Sequence, residues 1–286
     1  MKIIKYFFEF IVILFFFLIF KILGLRLSSS FSGKLFQFIG PLFRSKKIIH
    51  SNIRRALPKT NITEVNNIKK NMWNNYGRTL SEYIFLKDFR NDKFTSNIIL
   101  ENQEVLNFIK EDKSPVVFVS GHFSNFELMA MQIEKSGINL AAVYRPLNNI
   151  FLNIIMERIR KKYICKKQIK KGTGGVRQLL KLFKSGHSIA LMIDQRVTEG
   201  SKSKFFNEEA FTTTIPAQFI KKYKCKVVPI YIERFNDINF NIKFEKPIEF
   251  SKDTSSEEIT RALNIWLEKM ILKNPGQWIW SHNRWK

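Results

Sequence analysis

The sequence predicts an α/β sandwich about a largely parallel or mixed sheet flanked by helices, preceded by an N-terminal membrane-anchoring helix. Three observations predict it. A long apolar run opens the chain, a cation-rich helical region follows, and beyond Asn97 short β-branched runs alternate with helical stretches. Such alternation builds a sheet covered by helices. The 286 residues suit one sizeable domain, and a hydrophobic content of 45% excludes a disordered chain. No solenoid repeat is present.

Taken in order, Tyr6 to Leu25 is apolar apart from Glu9 and Lys21, and about 20 such residues cross a hydrocarbon core. Leu25-Arg26-Leu27 offers no signal-peptide cleavage pattern, so residues 1–25 are read as an uncleaved anchor. More cations follow the run than precede it: Arg26, Lys34, Arg44, Lys46 and Lys47 against Lys2 and Lys5. The positive-inside rule then leaves the larger part of the chain in the cytoplasm. Residues 26–96 form a basic helical, membrane-proximal segment. Arg26 to Leu57 fits either a helix on an anionic bilayer or one packed on the globular domain. Pro58 breaks it, and a long helix starts at Asn61, capped with Glu64, and runs to about Leu86.

Residues 97–286 form the α/β core. Strands are expected at Val116–Ser120, Leu140–Tyr144, Ile189–Ile193, Val227–Ile232 and Phe240–Phe244. Helices are expected at Phe126–Lys135, Ile150–Lys162, Val176–Lys184, Pro216–Tyr223 and Thr254–Lys273, the last capped by Thr254 or Ser255.

With 48 Lys and Arg against 24 Asp and Glu, the charge of +24 points to polyanionic partners: nucleic acid, anionic lipid or an acidic protein. Cys165 and Cys225 are too few and too far apart for a disulfide framework or a Cys-based zinc site, so no metal is expected.

The segment SPVVFVSGHFSNFELMAMQIEK carries the chemistry. An apolar strand ends at Ser120, Gly121 permits a tight turn, and His122 emerges at the C-terminal strand edge, where ligands of α/β sheets bind. Ser124 and Glu127 have capping-box spacing. Alternatively, Glu127 orients His122 and stabilises its imidazolium. His122 suits a general base. No G-x-S-x-G elbow is present and neither cysteine has a nucleophile context, which favours direct transfer over a covalent intermediate.

GHFSNFE matches the H-x-x-x-x-D/E motif of glycerolipid-type acyltransferases, and its surroundings resemble one branch, the late acyltransferases of lipid A biosynthesis. AAVYRPLNN, IALMIDQ with FFNEEAFTTTIPAQ, and the terminal PGQWIWSHNRWK resemble that branch's further segments in the same order. Asn207 stands where the family usually has Gly, and Arg196 where an acid is common. The resemblance implies that His122 and Glu127 are the catalytic pair and that Arg145 binds substrate phosphate or the oxyanion. Asp194 and Gln195 would shape the acceptor site. It further implies a membrane-bound enzyme of the bacterial inner membrane, catalytic on the cytoplasmic side. Such an enzyme needs no cofactor and takes an acyl chain from acyl carrier protein or acyl-CoA to a hydroxyl of a Kdo-bearing lipid A precursor. From Arg158 to Ile193 there is no acidic residue, and the cluster headed by Arg158 is read as meeting that acidic substrate. GTGGVRQLL reads as a flexible turn into a helix, and Trp278, Trp280 and Trp285, with His282 among them, as an aromatic clamp packing the C-terminus.

Two alternatives stand beside this reading: acylation of a glycerophospholipid or other lipid alcohol, and a noncatalytic basic tether for nucleic acid or anionic lipid. No RNA-binding aromatic motif or helix-turn-helix accompanies the charge, so nucleic acid is not the expected partner.

Overall fold

The structure, a computed structural model, describes residues 2–286. Helices α1 (Lys2–Phe43), α2 (Lys46–Ala56), α3 (Ile62–Glu82) and the short α4 (Leu86–Arg90) precede the sheet. Strands β1 (Ile98–Glu101), β2 (Val117–Ser120), β3 (Leu140–Tyr144), β4 (Lys167–Lys170) and β5 (Ser188–Met192) follow, with α5 (Glu104–Asp112), α6 (Glu127–Lys135), α7 (Ile150–Ile159) and α8 (Thr173–Lys184) between them. A hairpin of β6 (Ser201–Phe205) and β7 (Glu208–Thr212), then α9 (Ile215–Tyr223), β8 (Val227–Phe235), β9 (Asn239–Phe244) and α10 (Ser256–Lys273), complete the chain.

The α/β reading is what the chain adopts: a seven-stranded mixed sheet ordered β1-β9-β8-β2-β5-β3-β4. All neighbours are parallel except β8 and β9. β2 lies at the centre and is buried along its whole length, as a strand covered by helices on both faces must be. The five expected strands are present, and four more lay outside the expectation. β4 (Lys-Gln-Ile-Lys) buries one residue and β6 (Ser-Lys-Ser-Lys-Phe) buries only Phe205. Polar, lysine-rich strands of this kind suit sheet edges and carry little hydrophobic signal.

The caps expected on α3 and α10 both form, each as a capping box: Asn61 with Glu64 and Ser255 with Glu258. Ser255, not Thr254, is therefore the cap. α3 ends at Glu82, short of the expected Leu86, in a tight helical turn at Tyr83–Phe85.

Arg26 to Leu57 is not one surface helix. Its first part belongs to α1, which bends at Gly24 (φ 75) and runs on to Phe43. There a face of Ser28, Ser29, Ser32 and Gly33 is buried against α3, and a Cβ on Gly77 of α3 would stand 2.2 Å from the Ser32 carbonyl oxygen. α2 buries Ile49, Asn52, Ile53 and Ala56. Asn52 also donates to the carbonyls of Trp280 and His282 at 2.8 and 2.7 Å. The basic segment is thus integral to the domain, with Phe38, Leu42 and Phe43 left exposed at the end of α1.

Candidate active site

The parallel strands β2, β5, β3 and β4 all end at one edge, and each delivers polar residues there. Register explains which of them meet. Ser120 of β2 pairs with Met192 of β5, and Ile193 N–H donates to the Ser120 carbonyl at 2.9 Å. His122 and Asp194 each lie two residues further on, so they emerge side by side. His122 Nδ1 is 2.8 Å from Asp194 Oδ1, while the His122 backbone N–H donates to Asp194 Oδ2 at 2.8 Å. The indole Nε1–H of Trp278 donates to the same oxygen at 2.9 Å. Burial by itself would raise the pKa of the fully enclosed Asp194 carboxyl. The neighbouring His122 and these hydrogen bonds outweigh burial and hold it below the ordinary aspartate value. An ionised Asp194 fixes the proton of neutral His122 on Nδ1 and leaves Nε2 as the basic nitrogen.

This corrects the pairing of His122 with Glu127. The carboxylate of Glu127 instead accepts from Arg160 Nε and Nη2 at 2.9 and 2.7 Å and from the Tyr83 hydroxyl. Nor does Glu127 close a capping box with Ser124, since α6 has no side-chain cap. The turn is shaped otherwise: Ser124, at φ 44, supplies its left-handed residue. The Ser124 N–H donates to the Gln277 carbonyl at 3.0 Å, and Thr79 donates to the Ser124 carbonyl at 3.2 Å. The Phe126 ring stands edge-on to His122, 4.8 Å between centroids.

Both His122 and the Glu127–Arg160 pair line one cavity of about 670 Å³. Arg145, Gln195 and Lys171 line it too, with an apolar portion that includes Leu80, Ala130, Leu152, Met156 and Met192. Arg145 follows β3 at the same sheet edge as His122, as its sequence context suggested, and Lys171 follows β4. Burial, and then the Arg145 charge, lower the pKa of Lys171. Two cations crowded at a cavity wall attract an anion. Asp194 lies behind His122 and does not line the cavity. Arg158 is placed differently from its expectation: it is exposed on α7 and absent from the cavity lining, whereas Arg160, two residues on, enters it.

Arg160, Tyr83 and Trp278 are the site residues that sequence reasoning missed. For Arg160 the available signal was the acid-free basic run, which could not say which cation turns inward. The turn that aims it is a widened one: α7 passes into a π-helical turn over Arg160–Ile164, closed by the Cys165 N–H donating to the Arg160 carbonyl at 3.0 Å. Its guanidinium lies 5.8 and 5.7 Å from the ring centroids of Tyr83 and Tyr144.

The C-terminal tail braces Asp194 from behind. Trp278 and Trp280 are buried, and Arg284 donates to the Phe211 carbonyl and Thr212 hydroxyl at 2.6 and 2.7 Å. The aromatic clamp read from the sequence is therefore formed. His282, given little weight in that reading, lines the cavity, and its Nε2 accepts the Arg196 backbone N–H at 3.0 Å.

Burial pushes the His282 pKa down from 6.5 to about 4. As the pH falls, the unfolded chain takes up this proton first. The stability that neutral His282 confers is whole above the unfolded value of 6.5 and is lost progressively toward the folded value near 4. Asp194 loses stability in the same direction, but only as the pH falls below the ordinary aspartate value. We expect the melting temperature to fall between about pH 7.5 and 5, and His282→Gln, which keeps an acceptor for Arg196, to flatten that fall. A wild-type curve already flat over this range would show that His282 is not held neutral.

Neither cysteine lines the cavity, and burial pushes the Cys165 thiol up to about 12 and the Cys225 thiol up to about 11, away from the reactive thiolate form. No cluster able to hold a metal ion is present among the described residues. A carboxylate-oriented imidazole and a held guanidinium thus share one partly apolar cavity beside an apolar helix. The chain belongs to the bacterial lipid A biosynthesis acyltransferases, whose family model matches residues 1–286. It is 26% identical to the lipid A biosynthesis lauroyltransferase of Escherichia coli (strain K12), over 85% of this chain and 79% of that protein. It is also 20% identical to lipid A biosynthesis acyltransferase 2 of Shigella flexneri, over 87% of this chain and 80% of that protein.

Proposed function

We propose that the chain transfers a fatty acyl group from acyl carrier protein to a hydroxyl of a 3-hydroxyacyl chain on a Kdo-bearing lipid A precursor, at the cytoplasmic face of the bacterial inner membrane. The observation that carries this reading is the contact of His122 Nδ1 with Asp194, 2.8 Å long, at the wall of the cavity.

The acceptor hydroxyl enters opposite Nε2 of His122. As its oxygen bonds to the thioester carbonyl carbon, Nε2 takes the proton, a service typically worth about 10²- to 10⁴-fold. Asp194 stabilises the imidazolium. Arg160, held by Glu127 and Tyr83, supplies positive charge to the oxyanion. The carbon–sulfur bond then breaks, and Nε2 returns the proton to the departing thiolate. Arg145 and Lys171 meet the acceptor's phosphate, and the excess of cations suits an acidic carrier protein as donor.

Purified protein in detergent micelles, given an acyl carrier thioester and the Kdo-bearing precursor, should raise the acceptor's mass by one acyl group. The same acyl group on coenzyme A should transfer more slowly. Acylation of a lysophospholipid in place of the precursor would overturn the acceptor assignment, and equal rates with coenzyme A would overturn the donor assignment.

A further inference from the structure

The first half of α1 is long and apolar enough to cross a membrane, yet it does not leave the domain. One of its faces is in contact with the domain near both ends. Near its start, Asn149 donates to the Tyr6 carbonyl at 2.8 Å and to Glu9 at 3.3 Å. Phe151 of α7 packs edge-on against Phe7, 5.6 Å between centroids. Midway, Ile13 packs on the core and Phe17 lines the active-site cavity. At the far end Phe20 is 2% exposed and Lys21 pairs with Asp88 at 3.0 Å. From Tyr6 to Phe20 this face is about 21 Å long at helical rise.

The opposite face is apolar throughout. Ile4, Phe8, Phe15, Leu18 and Ile22 are each at least 60% exposed. Ile150 and Ile154 of α7, just over half exposed, extend this surface beside the helix.

We propose that Lys2–Leu23 lies along the membrane surface in a single leaflet, and that its outer face, with α7, forms one lipid-embedded surface of the enzyme. Were the helix to span, α7, the Lys21–Asp88 pair and the mouth of the cavity would be drawn into hydrocarbon with it. Burying Asp88, Asn149 and Arg145 there costs several kcal/mol. Lying flat, the helix keeps these groups in the headgroup region. Lys2 and Lys5 at one end and Arg26 and Lys34 beyond the other then meet anionic lipid, each worth about 1 kcal/mol near the surface. Because Phe17 is part of the cavity wall, the cavity opens at lipid level, and a lipid substrate reaches His122 sideways from the leaflet. That last consequence rests on the function proposed above, whereas the placement of the helix does not.

The test uses the full chain reconstituted into vesicles of phosphatidylethanolamine and phosphatidylglycerol. Single cysteines replace Lys2 and, as a marker of the domain's side, Lys252, each with Cys225→Ser. A membrane-impermeant maleimide should label Lys2→Cys and Lys252→Cys to the same extent in intact vesicles. Labelling of Lys2→Cys only after detergent, with Lys252→Cys already labelled, would mean a spanning helix and overturn the proposal. Spin labels at Phe8, Phe15 and Ile22 should show equal, high collision rates with dissolved oxygen. A maximum at Phe15 alone would again mean a spanning helix. Protection of all three from oxygen, with cross-linking between chains, would place a second copy on this face and overturn the proposal equally. None of these readouts requires transferase activity, so a failure here is distinguishable from a failure of the proposed reaction.

Discussion

Asp194→Asn should reduce acyl transfer by about 10⁴-fold while leaving the protein folded, the magnitude expected when a base is held in the wrong tautomer. Geometry dictates which way the amide turns. Asp194 Oδ2 accepts two N–H groups, from the His122 backbone and Trp278, so the asparagine oxygen must take that position. Its NH₂ then faces His122 Nδ1, which has to become an acceptor. The proton moves to Nε2, and the nitrogen that should receive the acceptor's proton is already occupied. His122→Ala should be at least as severe. Glu127→Gln should behave differently. It leaves the tautomer of His122 untouched and loosens Arg160, so we expect a loss nearer 10²-fold. Turnover measured against pH separates the two, since only Asp194→Asn disturbs the low-pH limb, where protonation removes an imidazole base. If Asp194→Asn retains near-normal turnover and Glu127→Gln does not, Glu127 is the partner of His122 after all and the resting geometry is not the catalytic one.

The largest expected effect on stability lies one layer deeper. Glu82 is fully buried at the end of α3, and its carboxylate is met by the guanidinium of Arg234 from β8, with Nη2 3.0 Å from Oε2. Ser29 of α1 and Asn125 of the His122 loop donate to the same carboxylate, each at 2.9 Å. Four parts of the fold therefore converge on one charge. Arg234→Met would leave that carboxylate enclosed with two neutral donors, and breaking a buried pair from one side costs about 3–5 kcal/mol. For a chain of this size the melting temperature should fall by on the order of 10 °C. Activity should fall as well, because Asn125 sits three residues from the base. Combining Arg234→Met with Glu82→Gln removes the stranded charge and should recover part of the loss. A double variant no more stable than Arg234→Met would show that the guanidinium matters for its packing rather than for its charge.

The extent to which this site was legible in the sequence follows from how its contacts are made. His122 was legible because everything that places it is local: an apolar strand, a turn and an amphipathic helix within a single short segment. The caps at Asn61 and Ser255 were legible for the same reason, since each is completed three residues away by Glu64 or Glu258. The aromatic C-terminus could be read as a clamp, but its role in bracing Asp194 could not.

The sequence by itself thus determined the alternation of strands and helices, the apolar face of each, the position of His122 at a strand end and the cationic balance. Tertiary structure alone decided the partner of His122. His122 and Asp194 are 72 residues apart in the chain, and they meet because β2 and β5 pair in a register that no local pattern encodes. Glu127 has the right spacing to be read as that partner, yet a helix's first turn can face more than one neighbour, and here the widened turn after α7 presents Arg160 to it. The apolar run at the N-terminus was likewise legible as a membrane segment from its length and composition. Its packing against the domain was not, because that depends on Asn149 and Asp88, which reach it only once the domain has folded. Hydrophobic periodicity reports which face of an element is buried, and the identity of what covers that face is a property of the folded chain.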